Sequence, residues 1–88
     1  MKVEIKKPSK EELERLGVFS WPIWKKEPSE FDWYYDSTEV CYFLEGKVVV
    51  ETEEGDYTIE KGDLVRFPAG LKCKWRVIEK VRKHYNFE

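Results

Sequence analysis

Apolar and polar residues alternate with a period of two over much of this 88-residue chain, the mark of half-buried strands. Val3-Glu4-Ile5 reads as a short first strand, ended by Pro8. Phe31, Trp33 and Tyr35 alternate with Glu30, Asp32 and Tyr34 and give one aromatic face. Val40 to Leu44 is a continuous apolar run, Glu45-Gly46 reads as a turn, and Lys47 to Glu53 alternates again. Glu54-Gly55 is the next turn and Tyr57-Thr58-Ile59 the next strand. Lys61-Gly62-Asp63 and Pro68-Ala69-Gly70 are turn signals, and Leu71 to Ile78 and Val81 to Phe87 are the last strands. One segment departs from this rhythm. Ser9-Lys10-Glu11-Glu12 is a capping box, Leu13 and Leu16 fall on one helical face, and Gly17 supplies a stop. A single short helix over Lys10 to Leu16 is expected, in one otherwise all-β domain spanning residues 1–88.

Composition narrows the function classes. Charged residues make up 39% of the chain, but the signs are interleaved and the net charge is only −2. No basic block exists, so a nucleic-acid partner is not expected. The surface is rich in Glu and Lys, as in thermophile proteins. No apolar run approaches a membrane span, so a soluble, cytoplasmic protein without membrane association is expected. Two cysteines are too few for a disulfide framework and read as small buried residues. Aromatic residues make up 16% of the chain, enough to supply much of a small core. Trp21 and Trp24, in an extended segment around Pro22, are expected to be exposed and to mediate a homodimer; the alternative is that they cover an open end of the fold.

Two spaced motifs carry a family resemblance. Glu39 is followed after six residues by Gly46, and Gly62 is followed after five residues by Pro68-Ala69-Gly70. Both halves of this pattern resemble the motifs of the cupins, which fold as a double-stranded β-helix, or jelly-roll barrel. In the cupin pattern three His and one Glu hold a metal. Here Glu39 stands at the Glu position, while Trp33, Tyr35 and Cys73 stand at the three His positions. Cys41-Tyr42, Leu44-Glu45-Gly46, Gly62-Asp63-Leu64-Val65, Phe67-Pro68, Gly70-Leu71 and Trp75, with Val81-Arg82-Lys83 and Tyr85, are similar to a family of very small single-domain cupins. That family is commonly called the (S)-ureidoglycine aminohydrolase cupin domain, after larger two-cupin enzymes that use manganese.

The resemblance, combined with strand alternation, implies a site. If Glu39 points into the barrel, Cys41 points in with it; Cys73 and Trp75 share a face, as do Lys83 and Tyr85. Glu39, Cys73 and Lys83 are the expected catalytic residues, with Trp33, Tyr35, Cys41, Trp75 and Tyr85 as ligand-binding residues. Glu39 would be an acid or base, a cysteine the nucleophile or a polarisable wall, and Lys83 an anion contact. Glu39 and Lys83 inside so small a barrel are costly unless paired. No metal or other cofactor is expected: Trp33 cannot ligate, and a set of Glu39, Cys41 and Cys73 would be a zinc-type site without the usual spacing. His84 should face away from the barrel interior. Three functions remain open: a small-molecule-binding barrel, a metal-dependent aminohydrolase-like enzyme, and a non-catalytic scaffold of natural or engineered origin.

Overall fold

A computed structural model describes residues 1–88. The elements run β1 (Glu4–Lys6), α1 (Lys10–Leu16), a single 3-10 turn at Val18–Ser20, β2 (Ile23–Lys26), β3 (Ser29–Tyr34), β4 (Glu39–Thr52), β5 (Gly55–Glu60), β6 (Leu64–Phe67) and β7 (Lys72–Phe87). All strands belong to one seven-stranded antiparallel sheet, whose path is β1-β6-β4-β7-β2, with β3 also on β7 and β5 also on β4. No helix is long and apolar enough to cross a membrane.

Two long central strands organise the sheet. The first half of β4 pairs with β6, its second half with β5, and its whole length with β7. The first half of β7 pairs with β3 and its second half with β2. Each long strand thus serves both layers of a rolled sheet, which is the jelly-roll plan. The register slips between Phe43 and Glu45, between Glu45 and Lys47, and between Lys47 and Val48, so the ladder bends at Gly46. Glu45-Gly46 is therefore a bulge inside a strand rather than the expected turn. Glu79-Lys80, expected as a break, likewise lies within β7.

The bulge changes which residues face inward. Before it Glu39, Cys41 and Phe43 are buried; after it Val48 and Val50 are. On β7 the odd positions Trp75, Val77, Val81 and Lys83 are buried. The core is largely aromatic at one end. Tyr35 stacks on Phe67 with centroids 4.7 Å apart, and Phe43 and Phe67 lie against Trp75 at 6.3 and 5.9 Å. Such pairs add about 0.5–1.5 kcal/mol each beyond area burial.

The helix forms as its caps require. Ser9 accepts the Glu12 N–H at 3.2 Å, and Gly17 closes the end with φ +72°. Leu13 is buried but Leu16 is 44% exposed, so one residue of the expected pair does the packing. Trp21 and Trp24 are both half-buried, contrary to the expectation that they are exposed. Trp24 is turned inward, against Trp75 at 5.6 Å. His84 faces away from the barrel interior as expected but is buried, with Nδ1 2.8 Å from the Trp21 carbonyl and the Phe19 ring edge-on at 5.7 Å.

A Cβ at Gly46 would lie 2.3 Å from the Lys80 carbonyl oxygen at φ +96°, whereas one at Gly17 would meet nothing closer than 3.6 Å. Gly46→Ala should therefore lower stability by about 3 kcal/mol or more, and Gly17→Ala by only about 1–2 kcal/mol, the left-handed penalty alone. Urea melts of the two variants giving equal losses would show that the bend at Gly46 does not need that close approach.

Candidate functional site

The site begins from strand register. Lys83 stands opposite Phe43 of β4 on one side and opposite Trp24 of β2 on the other. Its side chain runs inward along β4, whose inner face carries Glu39, Cys41 and Phe43 in sequence. Lys83 Nζ reaches Glu39 Oε2 at 2.9 Å and Cys41 Sγ at 3.1 Å, and the Cys41 thiol donates to the same Glu39 Oε2 at 2.9 Å. Lys83 and Glu39 are only 5% and 7% exposed, so both charges are withdrawn from water. Around the ammonium lie the rings of Trp75, Trp24, Phe43 and Phe67, with centroids at 4.9, 5.0, 5.7 and 5.8 Å. Cation–π attraction replaces part of the lost hydration.

Above this pair is a cavity of about 200 Å³. Glu39 and Lys83 form its polar part, and Trp24, Phe31, Trp33, Tyr35, Trp75, Tyr85 and Phe87 its walls. The Tyr35 hydroxyl accepts the Trp75 indole N–H at 3.1 Å. Trp33 is 48% exposed and stands at the rim.

Burial and charge set the protonation states. Burial works against the Lys83 ammonium, but the Cys41 sulfur and the Glu39 carboxylate outweigh it and hold Lys83 above the usual lysine value. Burial pushes the Cys41 thiol far up, with the Glu39 charge acting the same way against Lys83. Burial, with the Glu39 charge acting the same way, also raises Tyr35 well above the usual phenol value. The floor is thus the Lys83–Glu39 ion pair flanked by a thiol and a phenol that keep their protons.

The structure brings together Glu39, Lys83, Tyr35, Trp33, Trp75 and Tyr85 around one cavity, with Cys41 sealed directly beneath it. It does not bring Cys73 there. Cys73 is half-buried and packs against the core near Tyr35 but does not line the cavity; its Sγ lies 3.7 Å from the Trp33 carbonyl oxygen, with no hydrogen bond to Glu39. Burial pushes its thiol up to about 11, so it carries little thiolate at neutral pH. Both cysteines are free. Trp24, Phe31 and Phe87 are wall residues not counted in the expected site. Phe31 and Phe87 share the alternating faces of Trp33 and of Lys83, so period two contained that signal; the inward turn of Trp24 depends on the β2–β7 register, which no local pattern displays.

A family model described as an EutQ-like cupin domain matches residues 13–85. This chain belongs to the EutQ-like cupin family. It is 64% identical to a DUF861 family protein from Thermotoga maritima over 99% of this chain and 100% of that one, with a TM-score of 0.96. A DUF861 protein of unknown function from Pseudomonas syringae is 32% identical over 75% of this chain and 29% of that one, at a TM-score of 0.68. The EutQ protein of Clostridium difficile shares the fold at 22% identity, covering 74% of this chain and 52% of that one, with a TM-score of 0.68. No curated protein matches the chain.

The metal that cupins commonly carry does not fit the residues of this one. Trp33 has only a donor N–H, Tyr35 is held as the neutral phenol, and Cys73 turns toward the Trp33 carbonyl. Glu39, the remaining ligand position, already has the Lys83 ammonium on it. The charge that a metal would balance is balanced by a side chain.

Two outcomes follow. Lys83→Met should strand a buried carboxylate and cost about 3–5 kcal/mol, while Lys83→Met with Glu39→Gln should cost much less; additive losses in urea melts would mean the two residues do not interact. Stability should also hold to about pH 9 and fall above it. Cys41, Cys73, Tyr35 and Lys83 all keep their protons to higher pH when folded than at their usual 9.0, 9.0, 10.0 and 10.5, so the unfolded chain releases protons first. Urea midpoints that rise between pH 8 and pH 10 would contradict this.

Proposed function

We propose that this cupin binds a small organic molecule in the aromatic cavity without a metal, using the Lys83–Glu39 pair as its polar floor. The supporting observation is that pair: two charges kept at the base of a cavity in a domain where apolar residues would serve stability as well. Glu39 is the anchoring and proton-accepting group, and Lys83 with Cys41 fixes its orientation. Trp33, Tyr35, Trp75 and Tyr85 hold the ligand. Cys73 is left out of the chemistry, because it lies away from the floor and its thiol is held protonated.

Proton transfer by Glu39 is the chemistry for which the site is equipped. An aminohydrolase-type reaction on a metal has no support from the donor set at these positions.

The test is an NMR screen of small planar compounds on protein treated with a chelator. Binding should move the indole N–H signals of Trp24, Trp33 and Trp75, and added manganese or zinc should not strengthen it. Binding that requires added metal, or shifts confined to other parts of the barrel, would count against the proposal.

A further inference from the structure

We infer that the ligand of this cavity is an uncharged planar ring bearing one O–H or N–H group, which it donates to Glu39 Oε1. The inference rests on the proposed metal-free binding function and specifies the ligand class. It follows from which hydrogen-bonding positions the protein has left open.

Lys83 has one donor position left, and it is poorly placed for an anion. Its ammonium donates to Glu39 Oε2 and to Cys41 Sγ, and its remaining surroundings are the faces of Trp24 and Trp75 at 5.0 and 4.9 Å. An anionic ligand would find a single unshared ammonium proton, set among aromatic faces, and would meet the Glu39 carboxylate beside it. Lys83 is thus not the anion contact its charge first implies.

Glu39 is the opposite case. Both protein donors fall on Oε2; Oε1 accepts from no group of the protein, although the residue is 7% exposed and lines the cavity. Oε1 opens on the cavity, where water can reach it, so a ligand O–H or N–H can take the place of that water on a charged acceptor. Tyr35 supplies the complement. Its oxygen accepts from Trp75, while its own proton goes to no group of the protein, and the Glu39 charge acts on it. One ligand group that both gives and accepts a hydrogen bond, such as a phenol oxygen, suits this pair. An azole ring with its N–H and bare nitrogen suits it too.

Net charge decides the rest. The floor is neutral while the ion pair stands, and the walls are aromatic. A charged ligand of either sign would lose its hydration against those walls with no unpaired countercharge to receive it. A ligand ammonium would also sit close to Lys83.

Titrating the full chain with phenol, benzoate, benzylammonium and toluene, followed by indole N–H shifts, separates these cases. Phenol should bind about tenfold or more tightly than any of the other three, the worth of a hydrogen bond to a charged group. Tyr35→Phe should weaken phenol several-fold and leave toluene unchanged. The double variant Lys83→Met with Glu39→Gln keeps the floor neutral and should reduce the preference for phenol over toluene several-fold, because an amide oxygen is a weaker acceptor than a carboxylate. Benzoate or benzylammonium binding more tightly than phenol would overturn the inferred ligand class but leave a binding cavity. Equal binding of toluene and phenol would overturn the role of Glu39 Oε1. Binding by none of the four would overturn both this inference and the proposed function.

Discussion

Two opposite charges, placed on the two longest strands and closed off from water, constrain the rest of this structure. Lys83 belongs to β7 and Glu39 to β4, and they meet at 2.9 Å inside the barrel. Neither would be tolerated there alone, because an unpaired buried charge costs several kcal/mol. The β4–β7 register must therefore be held, and the groups around the pair must contribute what water no longer does. The Cys41 thiol donates a hydrogen bond to Glu39 and its sulfur accepts one from Lys83, and four aromatic rings surround the ammonium.

The same constraint explains the bend at Gly46. Glu39, Cys41 and Phe43 face inward from odd positions, while the second layer of the barrel is built from Val48 and Val50. A strand of unbroken period two would turn one of these sets outward. The bulge beside Phe43 lets one strand serve the polar floor in its first half and the aliphatic core in its second. This requires a residue that accepts φ +96° with the Lys80 carbonyl pressed against it, and glycine is that residue.

Much of this was legible in the chain. The alternating segments, the capped helix and the two spaced motifs led to a jelly-roll barrel, and alternation assigned Glu39, Cys41, Trp75 and Lys83 to one interior. Local pattern could not show that Glu45-Gly46 continues a strand, because a bulge and a turn share the same Gly signal; only the partner strand distinguishes them. Nor could it place Trp24, whose inward turn is set by pairing with Lys83, far away in chain order. Cys73 misled for a different reason. A motif position transfers backbone location, but the side chain there is shorter than His, and it settles against the core beside the Trp33 carbonyl without lining the cavity.

The central claim is that a side-chain ammonium, charged and enclosed by aromatic rings, does in this cupin what a metal ion does in others. Direct observation of the Lys83 Nζ group by nitrogen-15 NMR tests it most closely. The account predicts an ammonium-type nitrogen signal that persists at pH 9, with protons slow to exchange with water and shifted upfield by the ring faces of Trp24 and Trp75, and absent from the Lys83→Met protein. An amine-type nitrogen at neutral pH, or protons exchanging as fast as those of the surface lysines with no ring shift, would contradict it.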